Sequence, residues 1–83
     1  MELNPRFKIG TLLKRVDDEA QIFVTDYFPM AEEYETRPGL FIRNEYNMYE
    51  LFYLAGGKII AQTALWLDEM VNEKKIEVAS VPD

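Results

Sequence analysis

The first part of the chain alternates apolar and polar positions with the period of a β-strand. Residues 7–16 alternate in this way, and residues 20–28 are rich in β-branched and aromatic side chains. The acidic residues 17–19 separate the two runs and are typical of a turn. Two such runs joined by a short polar segment predict a β-hairpin.

Proline and glycine bound the next segment, residues 29–39, which is therefore predicted to be a loop with room for one helical turn. Residues 40–43 alternate again and predict a short third strand. Near the end of the chain, residues 76–81 alternate before Pro82 and predict a closing strand.

The second half of the chain has a helical period. Asn47 and Glu50 have the spacing of a capping box, which predicts a helix from about Met48 to Glu73. Its apolar positions recur along one stripe, which is the face expected to carry most of the core. The stripe consists of Phe52, Ile59, Ile60, Thr63, Ala64, Leu67, Met70 and Val71.

Gly56 and Gly57 interrupt this helix, because two glycines cost about 2 kcal/mol relative to alanine. Three interpretations follow, in order of preference. The glycines separate two short helices, or they lie at a tight packing point in a continuous helix. In the third, residues 49–55 form a strand that turns at the glycines.

The predicted fold is a single α+β domain over residues 1–83, with elements in the order β-β-β-α-β. A small, mostly antiparallel sheet with one long or broken helix packed on one face would bury both apolar surfaces.

The chain has no histidine, no cysteine and a single serine, Ser80, with no base beside it. Histidine and cysteine supply most general bases, nucleophiles and transition-metal ligands. The acidic residues 17–19 lack the spacing of a calcium loop. No catalytic residue, metal ligand or cofactor is therefore predicted. The absence of cysteine and of a signal-like or membrane-spanning segment suits a cytoplasmic protein.

The formal net charge is -6, which disfavours nucleic acid and anionic membranes as partners and favours a basic protein. Beyond residues 17–19, carboxylates cluster in two further runs, residues 32–35 and residues 68–73. Spaced carboxylates can imitate the phosphates of a nucleic acid on a basic protein groove. Dispersed solubilising charge is the preferred interpretation of these runs, and mimicry stays open as the alternative.

Aromatic residues make up 13% of the chain, a generous share for so small a core. Tyrosine and tryptophan dominate binding hot spots, although these rings could also edge the core. The predicted partner-binding residues combine such rings with the acidic runs: Tyr46, Tyr49, Tyr53, Trp66, Glu32, Glu33, Glu35, Asp68 and Glu69.

These observations favour a non-enzymatic, acidic protein-binding module. In size, acidity and missing chemistry the chain is similar to small phage inhibitors, antitoxins and bacterial immunity proteins, which is a likeness of type and not of motif. Such a protein would dock on a basic, nucleic-acid-handling protein. The alternative is a structural or assembly subunit whose aromatic patch forms a homo-oligomer.

Overall fold

The computed structural model describes residues 5–82 and contains five strands and one helix. This confirms the α+β prediction, with one strand more than expected. The elements are β1 Leu12–Arg15, β2 Gln21–Arg37, β3 Leu40–Tyr53, β4 Lys58–Thr63, α1 Ala64–Asn72 and β5 Ile76–Ser80.

All five strands form one antiparallel sheet in the order β4-β3-β2-β1-β5. The predicted first hairpin is therefore present, although its first strand is shorter than residues 7–16. The closing strand β5 lies close to its predicted position, pairs with β1 and forms one edge of the sheet.

The core lies on the sheet face that α1 covers. Cross-strand partners in the register, such as Val24 with Leu51 and Leu13 with Ile22, point to the same face and are buried together. Leu67 is the buried residue of α1 and packs on this face. The core residues are Phe7, Leu13, Ile22, Val24, Tyr49, Leu51, Leu67 and Ile76.

The prediction of a loop over residues 29–39 is wrong, because β2 continues through Pro29 as far as Arg37. Within residues 5–82, the pairing of β2 with β1 ends near Val24, and from Asp26 onward β3 is its neighbour. Proline is tolerated on such an open edge because no adjacent strand there requires its missing N–H. The turn is confined to Pro38 and Gly39.

The prediction of a helix from Met48 to Glu73 is also wrong. Met48 begins the stretch of β3 that pairs with β4, and the helix itself covers only Ala64–Asn72. The side-chain oxygen of Asn47, the predicted cap, is buried with no hydrogen-bond partner in the described part of the chain. The true cap is Thr63, whose hydroxyl accepts a hydrogen bond from the N–H of Trp66 at 3.1 Å.

Gly56 and Gly57 form the turn between β3 and β4, so the third interpretation is correct. Their φ angles are +97° and +62°, a conformation that glycine adopts without steric cost. The β-prone residues of β3 thus outweigh the local capping signal once a partner strand is available.

A long arm extends from the body of the sheet. It is the two-stranded ribbon of residues 29–47, from the pair Pro29–Asn47 to the pair Arg37–Leu40. Its side chains from Pro29 to Glu45 are all exposed. The radius of gyration is 15.1 Å, whereas a compact chain of this length would have about 12 Å. The arm therefore lies outside the packed body.

Candidate protein-binding surfaces

The arm carries large apolar side chains that no other element covers within residues 5–82. Phe41 is 59% exposed, and the others are between 40% and 47% exposed. Scattered exposed apolar residues are normal on a protein surface, but a contiguous set is typical of an interaction site. Met30, Tyr34, Leu40 and Ile42 form such a set on one face of the ribbon, and Phe41 lies on the other face.

A β-bulge at Thr25 sets which arm residues continue the face covered by α1. The register shifts between Val24 and Asp26, which turns Tyr27 toward the core beside Tyr49. Alternation from Tyr27 then places four arm pairs on this same face, among them Glu33 with Arg43 and Glu35 with Phe41.

The opposite face of the arm is more apolar. Its pairs include Met30 with Tyr46 and Tyr34 with Ile42. The Tyr46 hydroxyl donates a hydrogen bond to Glu32 Oε1 at 2.9 Å. This bond to a carboxylate raises the pKa of Tyr46, so the phenol stays neutral and remains a donor.

The arm is acidic, with four carboxylates and two arginines in residues 29–47 and hence a net charge of -2. Arg43 lies between two of these carboxylates, with Nε at 2.8 Å from Glu45 and Nη1 at 3.9 Å from Glu33. Such exposed ion pairs add little to the stability of the fold. The remaining negative charge of the arm favours association with positively charged surfaces.

A cavity of about 440 Å³ opens at the other end of the molecule, within the range of volumes typical of ligand sites. It lies between α1 with the residues that follow it, the end of β3 and the turn after β1. Aromatic and aliphatic side chains form its walls and three cations lie around them. The lining residues are Arg15, Val16, Asp17, Tyr53, Trp66, Met70, Lys74, Lys75 and Ile76.

The cations of the cavity are partly held by neighbouring carboxylates. Arg15 forms a two-point ion pair with Asp18, through Nε to Oδ1 at 3.1 Å and through Nη2 to Oδ2. This pairing lowers the pKa of Asp18 to about 2 and raises the pKa of Arg15. Lys75 Nζ lies 3.2 Å from Glu73. Counting Asp17, the lining itself carries three positive charges and one negative charge.

The structure divides the predicted partner-binding residues among several places. Tyr53 and Trp66 come together in the cavity lining. Tyr46 lies on the arm together with the acidic residues Glu32, Glu33 and Glu35.

Three predicted residues lie elsewhere. Tyr49 is 1% exposed and belongs to the core, where its hydroxyl accepts a hydrogen bond from the N–H of Phe7 at 3.3 Å. It therefore offers no surface to a partner. Asp68 and Glu69 lie on α1, and Asp68 Oδ1 is 3.4 Å from Arg6 Nη1.

Sequence reasoning missed Phe41, Lys74 and Lys75 as surface candidates. A signal for Phe41 was present, since Pro38-Gly39 lies between two β-prone runs and is typical of a hairpin turn. Nothing in the sequence predicts that Lys74 and Lys75 line the same cavity as Trp66, because this depends on how the chain turns from α1 into β5.

Within residues 5–82, no three carboxylates or other metal-ligating side chains converge on a common point. The same residues contain no helix with the length and hydropathy needed to cross a membrane.

Comparison with known proteins finds no matching family model, curated protein or solved structure. A functional assignment therefore depends on the geometry described above.

Proposed function

We propose that this chain is a non-enzymatic protein-binding module that docks on a basic protein surface through its arm. The observation that carries the proposal is the arm itself, a two-stranded ribbon with exposed Tyr34, Leu40, Phe41 and Ile42.

The arm contributes nothing to the core of its own chain. Among residues 5–82, all buried residues lie between Phe7 and Val24 or after Asn47. An isolated two-stranded ribbon is marginally stable in water, and apolar side chains on it gain free energy only when another surface covers them. An arm of this kind is therefore best explained as a surface for another protein.

The charge of the arm supports a basic partner. Glu35 lies opposite the exposed Phe41 and Glu33 is the next carboxylate along the same face, which combines an apolar anchor with an acidic rim. Rim charges chiefly accelerate association, whereas buried aromatic contacts slow dissociation. An inhibitor or antitoxin-like protein acting on a nucleic-acid-handling enzyme would use this combination, and the cysteine-free composition suits a cytoplasmic setting.

The proposal can be tested by immobilising the whole chain and recovering proteins from an extract of its source cells. The arm variant carries Phe41→Ser and Ile42→Ser, one substitution on each face. The matched control is Leu65→Ser, because Leu65 is 67% exposed but lies on α1. We expect at least one protein to be retained by the wild type and the control and lost from the arm variant.

Each protein that depends on the arm is then purified and its association rate is measured at rising salt. The pair Glu33→Gln and Glu35→Gln is compared with Asp68→Asn and Glu69→Gln, which remove the same charge from α1. Slower association for the arm pair alone supports the proposal. If no recovered protein distinguishes the arm variant from the control, the proposal is wrong.

A second candidate function, a self-assembling subunit, is favoured by the basic and aromatic cavity at the other end of the same chain.

A further inference from the structure

The chain carries two surfaces of complementary character. The arm tip presents an exposed aromatic ring, Phe41, opposite Glu35, and the next pair on the same face joins Glu33 to Arg43. Two carboxylates and one arginine thus surround the ring and leave a net negative charge. The cavity presents aromatic walls, Tyr53 and Trp66, beside cations. A chain with a net charge of -6 thus concentrates three of its nine basic side chains at one apolar opening.

These two surfaces lie at opposite ends of the same pair of strands. β2 begins at Gln21, just after the turn that lines the cavity, and ends at Arg37 in the arm tip. β3 begins at Leu40 in the tip and ends at Tyr53 in the cavity lining. The arm tip therefore cannot fold back into the cavity of its own chain, and the molecule is elongated, 48 Å along its longest axis against 27 Å and 25 Å along the others.

The shape of each end also fits the other. The body is thick because α1 covers one face of the sheet, whereas the corresponding face of the arm is bare. Phe41, Glu33 and Glu35 belong to that bare face, which continues the face beneath α1. Two copies placed antiparallel would set the thick end of each against the thin end of the other.

We infer that the arm tip of one copy occupies the cavity of a second copy, and that the exchange is reciprocal. Phe41 enters between Tyr53 and Trp66 of the other copy, while Glu33 and Glu35 face its Lys74 and Lys75. The two contacts are related by a two-fold axis, so the assembly closes at a dimer. This inference rests on the proposed function and names the basic surface that the arm binds.

The first test measures the mass of the full chain by sedimentation across protein concentration. The wild type is expected to form dimers. The arm variant Glu33→Lys with Glu35→Lys, and the cavity variant Lys74→Glu with Lys75→Glu, are each expected to dissociate at least tenfold more readily. Circular dichroism establishes that every variant is folded.

Mixing the two variants provides the decisive measurement. In the mixed pair, lysines on the arm of one chain face glutamates at the cavity of the other, and the second contact has wild-type residues on both sides. The mixture is therefore expected to regain dimers that neither variant forms alone. If both variants form dimers as readily as the wild type, the inference is wrong. It is also wrong if the mixture of the two variants stays monomeric.

A spectroscopic test follows the cavity directly, because Trp66 is the single tryptophan of the chain. Its fluorescence is expected to change with protein concentration in step with the mass. Phe41→Ala should abolish that change, whereas Ile42→Ala, on the other face of the arm, should leave it in place. Equal effects of the two substitutions would contradict the proposed contact.

The outcomes separate this inference from the broader proposal. A wild type that remains monomeric at hundreds of micromolar overturns the inference. The proposed function still stands in that case if a foreign basic protein is lost from the arm variant. If the chain itself is the protein recovered in an arm-dependent way, the inference is supported.

Discussion

Leu65 and Leu67 show how strongly the surroundings of a residue decide its energetic role. Both lie on α1 two positions apart, yet Leu67 is fully buried against the sheet and Leu65 is 67% exposed. The same side chain therefore contributes to the core at one position and to the surface at the other.

Replacing Leu67 with alanine is expected to lower the free energy of unfolding by about 2–5 kcal/mol, because it leaves a cavity under the helix. Urea denaturation measures this change. Leu65→Ala is the matched control and should alter stability by about 0.5 kcal/mol or less. A Leu67→Ala protein as stable as the control would show that α1 does not pack as described.

Asp18 is expected to make folding sensitive to acid. Its hydrogen bonds with Arg15 lower its pKa in the folded chain from 3.8 to about 2. A carboxylate with a depressed folded pKa stabilises the protein above its unfolded pKa, and this stabilisation is lost as pH falls through the folded value. The effect therefore belongs to the window between about pH 4 and pH 2.

Arg15→Gln should raise the pKa of Asp18 toward its ordinary value, which NMR titration of the side-chain carboxyl carbon can measure. Lys14→Gln is the control, because Lys14 lies in the same strand but pairs with Glu77 at 3.3 Å. An unchanged Asp18 pKa in Arg15→Gln would show that the ion pair is not its cause.

At the scale of elements, Gly56 and Gly57 distinguish a helix from a hairpin. Gly57→Ala would stabilise a continuous helix by about 1 kcal/mol. At a φ of +62° it should instead destabilise the protein by about 1–2 kcal/mol. Thermal or urea unfolding measures the sign of this change in the free energy of unfolding. A gain in stability would contradict the turn at Gly56 and Gly57.

The arm is expected to be dispensable for folding. Replacing residues 32–44 with an Asn-Gly turn should leave the melting temperature within a few degrees of the wild type, because every core residue remains. Calorimetry measures this at low concentration, where the free chain dominates. A collapse of the melting temperature would show that the arm stabilises its own chain.

At the scale of the whole molecule, local stability is expected to be uneven. Backbone amides of the arm should exchange with solvent faster than those of β2 and β3 beneath α1, because the arm has exposed faces and edges. Hydrogen exchange by mass spectrometry on dilute protein measures this difference. If arm amides of the dilute protein exchange as slowly as those of the body, the arm is not an exposed ribbon.

Much of the body follows from local pattern. The first and the closing strands follow from alternation, the second strand from its β-branched and aromatic residues, and Leu67 is correctly placed among the core residues. Alternation is a dependable signal where one face of a strand is buried, because the solvent-facing positions must then be polar.

The arm is where prediction from the sequence failed. Its strands are exposed on both faces, so they lack the contrast that marks a strand, and Pro29 and Pro38 favoured a loop. The prediction of a helix after Asn47 was wrong for a different reason. Its capping signal is local, whereas pairing of β3 with β2 and β4 is non-local and cannot be evaluated from a window of sequence.

The sequence by itself determined the α+β class, the acidic charge, the lack of histidine and cysteine chemistry, and the excess of aromatic residues. Only the tertiary structure decided which aromatics are available to a partner. It buried Tyr49, brought Tyr53 and Trp66 together beside Lys74 and Lys75, and placed Phe41 at the end of the arm. The physical reason is that exposure depends on contacts between residues far apart in the chain, and composition and periodicity carry no record of those contacts.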